Sequence, residues 1–170
     1  MKMFKHIWVP DLFTFANCAS GVVSIFCSIR QDFALAAVFL LIAVLMDFLD
    51  GKVARFLSKT HDFGKELDSL ADAISFGIAP AIFGFIFLES ASANSILSYI
   101  AFVFLVLCGI ARLARFNVTK IEGYEGMPIT FNGVIVPIIY FASVPAAAYP
   151  YIYLVSGFLM ISAIKIKKII

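Results

Sequence analysis

Long apolar runs, separated by short polar segments, dominate the hydropathy pattern of this 170-residue chain. A membrane-spanning helix needs about 20 mostly apolar residues. Six runs approach that length, at residues 12–28, 33–56, 63–88, 96–116, 131–147 and 151–164. The pattern therefore predicts an all-α membrane protein with six transmembrane helices. Residues 1–9 carry both lysines and large apolar side chains, which predicts a short interfacial helix before the first span.

The composition agrees with a membrane location. Only 14% of the residues are charged, whereas soluble domains contain roughly a quarter, and the mean hydropathy is +1.01. The net charge of +2 is small, so nucleic acid is not an expected partner. No repeat, low-complexity tract or linker divides the chain, which indicates a single domain over residues 1–170. The three cysteines lie in apolar runs without metal-site spacing and are interpreted as small buried apolar residues.

The basic residues predict how the chain is oriented in the membrane. Six spans place both termini on one side, and cytoplasmic loops carry an excess of lysine and arginine. One side would hold Arg30, and the other the remaining cations: Lys2, Lys5, Lys52, Arg55, Lys59, Lys65, Arg112, Arg115, Lys120, Lys165, Lys167 and Lys168. This asymmetry predicts cytoplasmic termini, and it places the turn after the second span on the cytoplasmic side.

Around that turn, aspartates concentrate in an otherwise apolar chain. Asp47 and Asp50 end the second run, and Asp68 and Asp72 begin the third. Residues three or four apart share a helix face, so each pair lies on one face, and folding at the turn brings four carboxylates together. Such a cluster needs cations to balance it at membrane depth. Hard divalent cations prefer oxygen ligands, so Mg²⁺, Mn²⁺ or Ca²⁺ are the expected occupants.

The spacing from Asp47 to Asp72 is D-x2-D-G-x2-A-R-x8-G-x3-D-x3-D. It resembles the signature of the CDP-alcohol phosphatidyltransferases at every fixed position. Three further segments, SLADAISFG, RLARFNV and GMPITFNG, resemble the serine branch of that family, the CDP-diacylglycerol–serine O-phosphatidyltransferases, which includes the archaeal archaetidylserine synthases. The resemblance covers residues 10–133.

The resemblance implies transfer of a phosphatidyl or archaetidyl group from CDP-diacylglycerol or CDP-archaeol to the hydroxyl of L-serine, with release of CMP. It implies two divalent cations, Mg²⁺ or Mn²⁺, with Ca²⁺ able to occupy the site. Their ligands would be Asp47, Asp50, Asp68 and Asp72, and Asp72 would also act as the general base. The family also implies a homodimer. The charge asymmetry described above predicts that its active site faces the cytoplasm from the cell membrane.

Several further residues are expected to bind the nucleotide and diphosphate: Thr14, Asn17, Gly51, Ala54, Arg55 and Gly64. Small residues at Gly51 and Ala54 would leave room for the nucleotide, and the Arg55 guanidinium suits a phosphate. The alternatives are close helix packing for Gly51 and Ala54, and a topological anchor for Arg55. Thr14 and Asn17 either line the nucleotide pocket or belong to a small, polar packing face.

Arg112, Arg115 and Asn132 are the expected serine contacts. The two arginines share a helix face at the predicted cytoplasmic end of the fourth span, and a guanidinium matches a carboxylate. Asn132 opens an apolar run and needs partners, which serine or the arginines would supply. The arginines as topology anchors are the alternative. A phosphorylated acceptor such as glycerol phosphate or inositol phosphate, or inositol itself, is the nearer functional alternative, and a divalent-cation transporter is the distant one.

Overall fold

The structure, a computed structural model, describes residues 9–56, 62–92, 96–118, 124–162 and 165–166. Within these residues seven α-helices follow one another: α1 Val9–Ile29, α2 Phe33–Phe56, α3 Asp62–Asp72, α4 Ala79–Ser90, α5 Ile96–Val118, α6 Asn132–Phe141 and α7 Tyr149–Ile161. A π-helical segment, Ala73–Ile78, joins α3 to α4, and 3₁₀ turns at Ile129–Phe131 and Ala146–Ala148 precede α6 and α7. Two short strands, β1 Tyr124–Glu125 and β2 Lys165–Ile166, pair antiparallel.

Four helices within the described part of the chain are long and apolar enough to cross a membrane: Pro10–Ile29, Phe33–Phe56, Phe63–Ser90 and Ile96–Val118. They correspond to the first four predicted spans, so a helical membrane protein is confirmed. The last two apolar helices, Ile129–Phe141 and Ala146–Ile161, are shorter than a full span. The predicted interfacial helix lies outside the described residues except for Val9, which begins α1.

The fifth predicted span was wrong at its C-terminal end. Residues 131–147 do not form one helix, because α6 ends at Phe141 and Ser143 adopts a positive φ of 55°. Val144 comes directly before Pro145, and the residue before a proline disfavours the helical conformation. Helix α7, which corresponds to the sixth predicted span, begins at Tyr149 rather than at residue 151, since Pro150 fits the first turn of a helix.

The outside of the helices is largely apolar, and the interior holds both apolar and polar side chains. Large apolar residues cover the outside of the helices, among them Leu12, Phe26, Leu45, Ile100, Leu107 and Phe158. The interior holds polar residues of α1, including Thr14, Asn17, Ser24 and Ser28. Where chains are surrounded by lipid, small and polar residues mediate helix contacts. The Ser24 hydroxyl, for example, donates to the Ala36 carbonyl of α2 at 2.9 Å.

Helix α1 packs along α2, α5 along α7, and α2 against α6. The turn between α1 and α2 is tight: Gln31 has a φ of 60°, and the Asp32 carboxylate accepts a hydrogen bond from the Leu35 N–H at 3.2 Å, which caps α2. An aromatic cluster of Phe33, Phe83, Phe87 and Tyr140 packs at this end of the bundle. Cys27 and Cys108 are buried and Cys18 is half-buried, all as free thiols, in agreement with their interpretation as small apolar residues.

Candidate active site

An acidic cavity lies at the end of the bundle opposite that aromatic cluster. Its volume is about 230 Å³, and its lining residues come from four segments, namely α2, α3, α5 and residues 128–130: Asp47, Asp68, Ser69, Asp72, Arg112, Leu113, Phe116, Pro128 and Thr130. The C-terminal part of α2 supplies one carboxylate, and α3 supplies two. The predicted convergence of the two helix faces is therefore present in the structure.

Three carboxylates meet closely. Asp47, Asp68 and Asp72 each offer an oxygen within 4.8 Å of the others. Asp50 is buried one helical turn from Asp47, and its carboxylate interacts electrostatically with Asp68. Its Oδ2 accepts a hydrogen bond from the Thr14 hydroxyl. Asp50 thus borders the three-carboxylate cluster rather than completing it.

This donor set fits a hard divalent cation. The cluster offers only oxygen atoms, and the Asn17 side-chain oxygen, fully buried nearby, has no hydrogen-bond partner in the described residues. Burying several carboxylates together without a balancing positive charge is strongly unfavourable. Arg112 supplies part of that charge, since it is buried, lines the cavity and interacts electrostatically with Asp47 and Asp72.

The polar face of α1 contacts the acidic residues directly. Thr14 donates to Asp50, and the Asn17 amide nitrogen donates to Asp72 Oδ1 at 3.1 Å. Neither residue lines the cavity itself. These contacts indicate that Thr14 and Asn17 hold the carboxylates in place, a role that neither sequence interpretation had assigned to them.

Gly51, Ala54 and Arg55 lie on the last turns of α2. A Cβ built at Gly51 meets nothing within 4 Å, so close packing among the described residues does not explain this glycine. Ala54 is half-buried and Arg55 is exposed, with its Nε donating to the Gly51 carbonyl at 2.9 Å. Gly64, in the first turn of α3, is half-buried. Their roles in nucleotide binding stay predictions.

The two arginines of α5 point in different directions. Arg112 lines the acidic cavity, with its guanidinium 5.4 Å from the centre of the Phe116 ring. Arg115 is not part of the lining, and its guanidinium donates to the carbonyls of Met160 and Ser162 at the end of α7. Residues three apart on a helix differ by about 60° in direction, which is enough here to separate the cavity from α7. The structure places Arg112, but not Arg115, in the lining of the acidic cavity.

Asn132 is also absent from the cavity lining. It is buried, and its amide nitrogen donates to the Phe76 carbonyl at 3.1 Å and contacts the Met160 sulfur at 3.6 Å. These contacts give the amide nitrogen partners within the protein, without a substrate. Its predicted contact with serine has no support in this geometry.

Sequence reasoning missed Thr130 and Ser69 as cavity residues. The Thr130 hydroxyl donates to Asp47 Oδ2 at 3.4 Å. The Ser69 hydroxyl is paired with the Asn117 side chain of α5, at 3.2 and 3.0 Å. Both lie inside segments that resemble the serine branch of the family, Ser69 in SLADAISFG and Thr130 in GMPITFNG, close to residues predicted for the site. For Ser69 the signal in the sequence was a hydroxyl next to the Asp68 carboxylate, and for Thr130 it was a hydroxyl close to Pro128. Such neighbours are too common to indicate a cavity residue.

Comparison with known proteins finds similarity along nearly the whole chain. The family model described as CDP-alcohol phosphatidyltransferase matches residues 7–167. The chain is 39% identical over 175 residues to the archaetidylserine synthase of Methanothermobacter thermautotrophicus, covering 99% of this chain and 73% of that protein. It is 32% identical over 141 residues to the CDP-diacylglycerol–serine O-phosphatidyltransferase of Bacillus subtilis, covering 81% and 78%.

A third relative, the CDP-diacylglycerol–serine O-phosphatidyltransferase of Saccharomyces cerevisiae, is 40% identical over 147 residues, covering 75% of this chain and 51% of that protein. The chain thus spans between about half and three quarters of the length of these relatives. The match of the family model extends over nearly the whole chain and includes all four aspartates of the acidic site. This chain therefore belongs to the CDP-alcohol phosphatidyltransferase family.

Proposed function

We propose that this protein is a transferase that moves the phosphatidyl or archaetidyl group of a CDP-linked lipid to the hydroxyl of L-serine and releases CMP. The observation that carries the proposal is the cavity in which three carboxylates and the buried Arg112 face one another. The names of the relatives, which are serine O-phosphatidyltransferases and an archaetidylserine synthase, support serine as the acceptor.

In the proposed reaction, the serine hydroxyl oxygen attacks the lipid-side phosphorus of the diphosphate. A new P–O bond forms to serine, the P–O bond to CMP breaks, and the hydroxyl proton passes to a carboxylate, for which Asp72 is proposed. General bases of this type contribute about 10²–10⁴-fold to the rate. Asp72 suits this role because it lines the cavity and its Oδ1 is oriented by Asn17.

Divalent cations are proposed to bind at Asp47, Asp50, Asp68 and Asp72. When bound, such ions neutralise the diphosphate and the developing charge on the departing phosphate. Thr14, Asn17 and Thr130 would hold the carboxylates in position through the hydrogen bonds described above. Arg112 is proposed to receive the serine carboxylate, since a guanidinium binds a carboxylate with two parallel hydrogen bonds. Gly51, Ala54, Arg55 and Gly64 are proposed to contact the nucleotide or the diphosphate.

We further propose a single multi-pass domain in the cell membrane with the cavity facing the cytoplasm. The described cations Lys52, Arg55, Lys65, Arg112 and Arg115 belong to the helix ends that carry the acidic site, whereas Arg30 follows α1 at the opposite end. This distribution supports the predicted orientation. A homodimer is proposed from the family alone, and the mass of the detergent-solubilised protein tests it.

The proposed acceptor is tested by competition. Purified protein, supplied with CDP-diacylglycerol and a divalent cation, is offered labelled serine together with an excess of glycerol phosphate, inositol or inositol phosphate. The proposal expects labelled phosphatidylserine at an undiminished rate. Formation of another phospholipid at the expense of the serine product would move the protein to a different branch of the same family.

A further inference from the structure

The helix that carries Asp68 and Asp72 changes its geometry directly after Asp72. Residues Ala73–Ile78 form a π-helical turn, in which the Ala79 N–H bonds to the Ile74 carbonyl five residues earlier. A π turn inserts one extra residue, which rotates the preceding part of the helix by about 100° relative to the part that follows. The direction of the Asp72 carboxylate relative to the core residues of α4 therefore depends on this turn.

Pro80 follows the π turn and has no backbone N–H to donate. In an α-helix that donor would bond to the carbonyl four residues earlier, which is that of Phe76. The Phe76 carbonyl instead accepts a hydrogen bond from the Asn132 amide nitrogen of α6, at 3.1 Å. Asn132 thus takes the place of the donor that Pro80 lacks, and both groups are buried.

The π turn is also held from the side of α1. The Ser75 hydroxyl donates to the Asn17 carbonyl at 3.0 Å, and the Asn17 side chain in turn donates to Asp72. Gly21 of α1 and Gly133 of α6 allow this close approach. A Cβ on Gly21 would lie 2.4 Å from Ser75 Oγ, and one on Gly133 would lie 2.5 Å from the Phe76 ring.

From these contacts we infer that Asn132 is a positioning residue: by bonding to the Phe76 carbonyl it fixes the π turn, and the π turn directs Asp72 into the cavity. Asn132 would then support the reaction without touching serine. This inference rests on the proposed function of Asp72, and it replaces the serine contact expected for Asn132 from the sequence.

The test compares kcat and the serine KM of Asn132→Ala with those of the unaltered protein. Because misdirection of a catalytic group by about 1 Å can cost about 10²-fold, kcat should fall by at least roughly tenfold. The serine KM should stay within about threefold, since no serine contact is removed. A tenfold rise in KM at unchanged kcat would instead identify Asn132 as a serine contact, and unchanged kinetics would also overturn the inference.

Tyr153→Phe is the matched control. The Tyr153 hydroxyl donates to the Pro80 carbonyl of the same long helix at 2.7 Å, but beyond the π turn. This variant should lower the thermal unfolding midpoint while kcat stays within about threefold. If Tyr153→Phe loses kcat as strongly as Asn132→Ala, the effect belongs to general helix packing, and the inference fails.

Ser75→Ala tests the π turn from the side of α1. If Asn132→Ala does not fold, this variant still tests whether the π turn positions Asp72. It should also lower kcat more than it raises the serine KM, and wild-type kinetics in a folded Ser75→Ala protein would contradict the inference. The unaltered protein is assayed first. If the unaltered protein releases no CMP with serine, the proposed function fails. If the unaltered protein is active and the variants keep a normal kcat, only the role of the π turn is refuted, and the proposed function stands.

Discussion

The Asn17 side chain of α1 donates a hydrogen bond to Asp72 Oδ1 at 3.1 Å, across 55 positions of sequence. Asn17 is fully buried, so this bond forms away from solvent. It joins the first helix of the chain to the carboxylate proposed as the general base. The position of that carboxylate therefore depends on how α1 packs, in addition to the helix that carries Asp72.

Replacing Asn17 by alanine should reduce activity. Loss of a hydrogen bond to a charged group typically costs about 1.5–3 kcal/mol, which corresponds to roughly ten- to a hundredfold in kcat/KM. Ser24→Ala is the matched control, because it removes another buried hydrogen bond of α1, to the Ala36 carbonyl, away from the acidic cavity. Steady-state kinetics of both variants should show a large loss for Asn17→Ala only. Equal losses would mean that α1 contributes only through packing.

Gly51→Ala should separate binding from stability. An added Cβ at Gly51 meets no atom within 4 Å, whereas one at Gly21 would lie 2.4 Å from Ser75 Oγ. Gly51→Ala should therefore keep the thermal midpoint but raise the KM for CDP-diacylglycerol, if the glycine leaves room for the nucleotide. Gly21→Ala should lower the midpoint. A normal lipid KM in Gly51→Ala would argue against a nucleotide contact there.

Arg112 and Arg115 should differ in their effect on serine. Arg112 lines the cavity, so Arg112→Ala should raise the serine KM by at least roughly tenfold. Arg112→Lys should also raise the serine KM, because lysine keeps the charge but lacks the planar, forked guanidinium of arginine. Arg115 bonds to the end of α7, so Arg115→Ala should affect thermal stability more than the serine KM. Kinetics against both substrates checks this difference. The opposite ranking, with Arg115→Ala raising the serine KM more, would place the serine carboxylate outside the cavity.

Asp72→Asn should bind CDP-diacylglycerol yet turn over at least about 10²-fold more slowly, because an amide keeps the shape of the carboxylate but cannot take the proton. Binding of the nucleotide lipid measured beside turnover tests this expectation. If binding is lost as completely as turnover, Asp72 acts mainly as a metal ligand, and the base is another group.

Much of the site followed from spacing, because the side chains concerned lie on regular helices. Asp47 and Asp50, and likewise Asp68 and Asp72, lie on the expected helix faces, and the packing of α2 and α3 brings Asp47, Asp68 and Asp72 together, with Asp50 at the border of the cluster. The hydrogen-bond partners that are distant in sequence could not be predicted from spacing. That Asn132 would reach the Phe76 carbonyl depends on the π turn and on the packing of α6, neither of which leaves a periodic signal in the sequence.

The different surroundings of the Arg112 and Arg115 side chains likewise could not be predicted from the sequence. Both lie on one broad face of α5, and the sequence does not say which neighbouring helix each direction meets. The end of α6, in contrast, was predictable from Pro145, but the apolar residues on both sides of it gave a continuous hydropathy signal. Hydropathy identified the four long apolar helices and was least informative for the two shorter helices that follow them.

The most direct test of the account is the coupling of CMP release to serine. Purified protein with CDP-diacylglycerol and Mg²⁺ or Mn²⁺ should release CMP only when serine is added, in an amount equal to the phosphatidylserine formed, and EDTA should abolish both products. CMP release without serine would indicate a hydrolase. No CMP release under any condition, with divalent cations passing into protein-containing vesicles, would indicate a transporter and contradict the account.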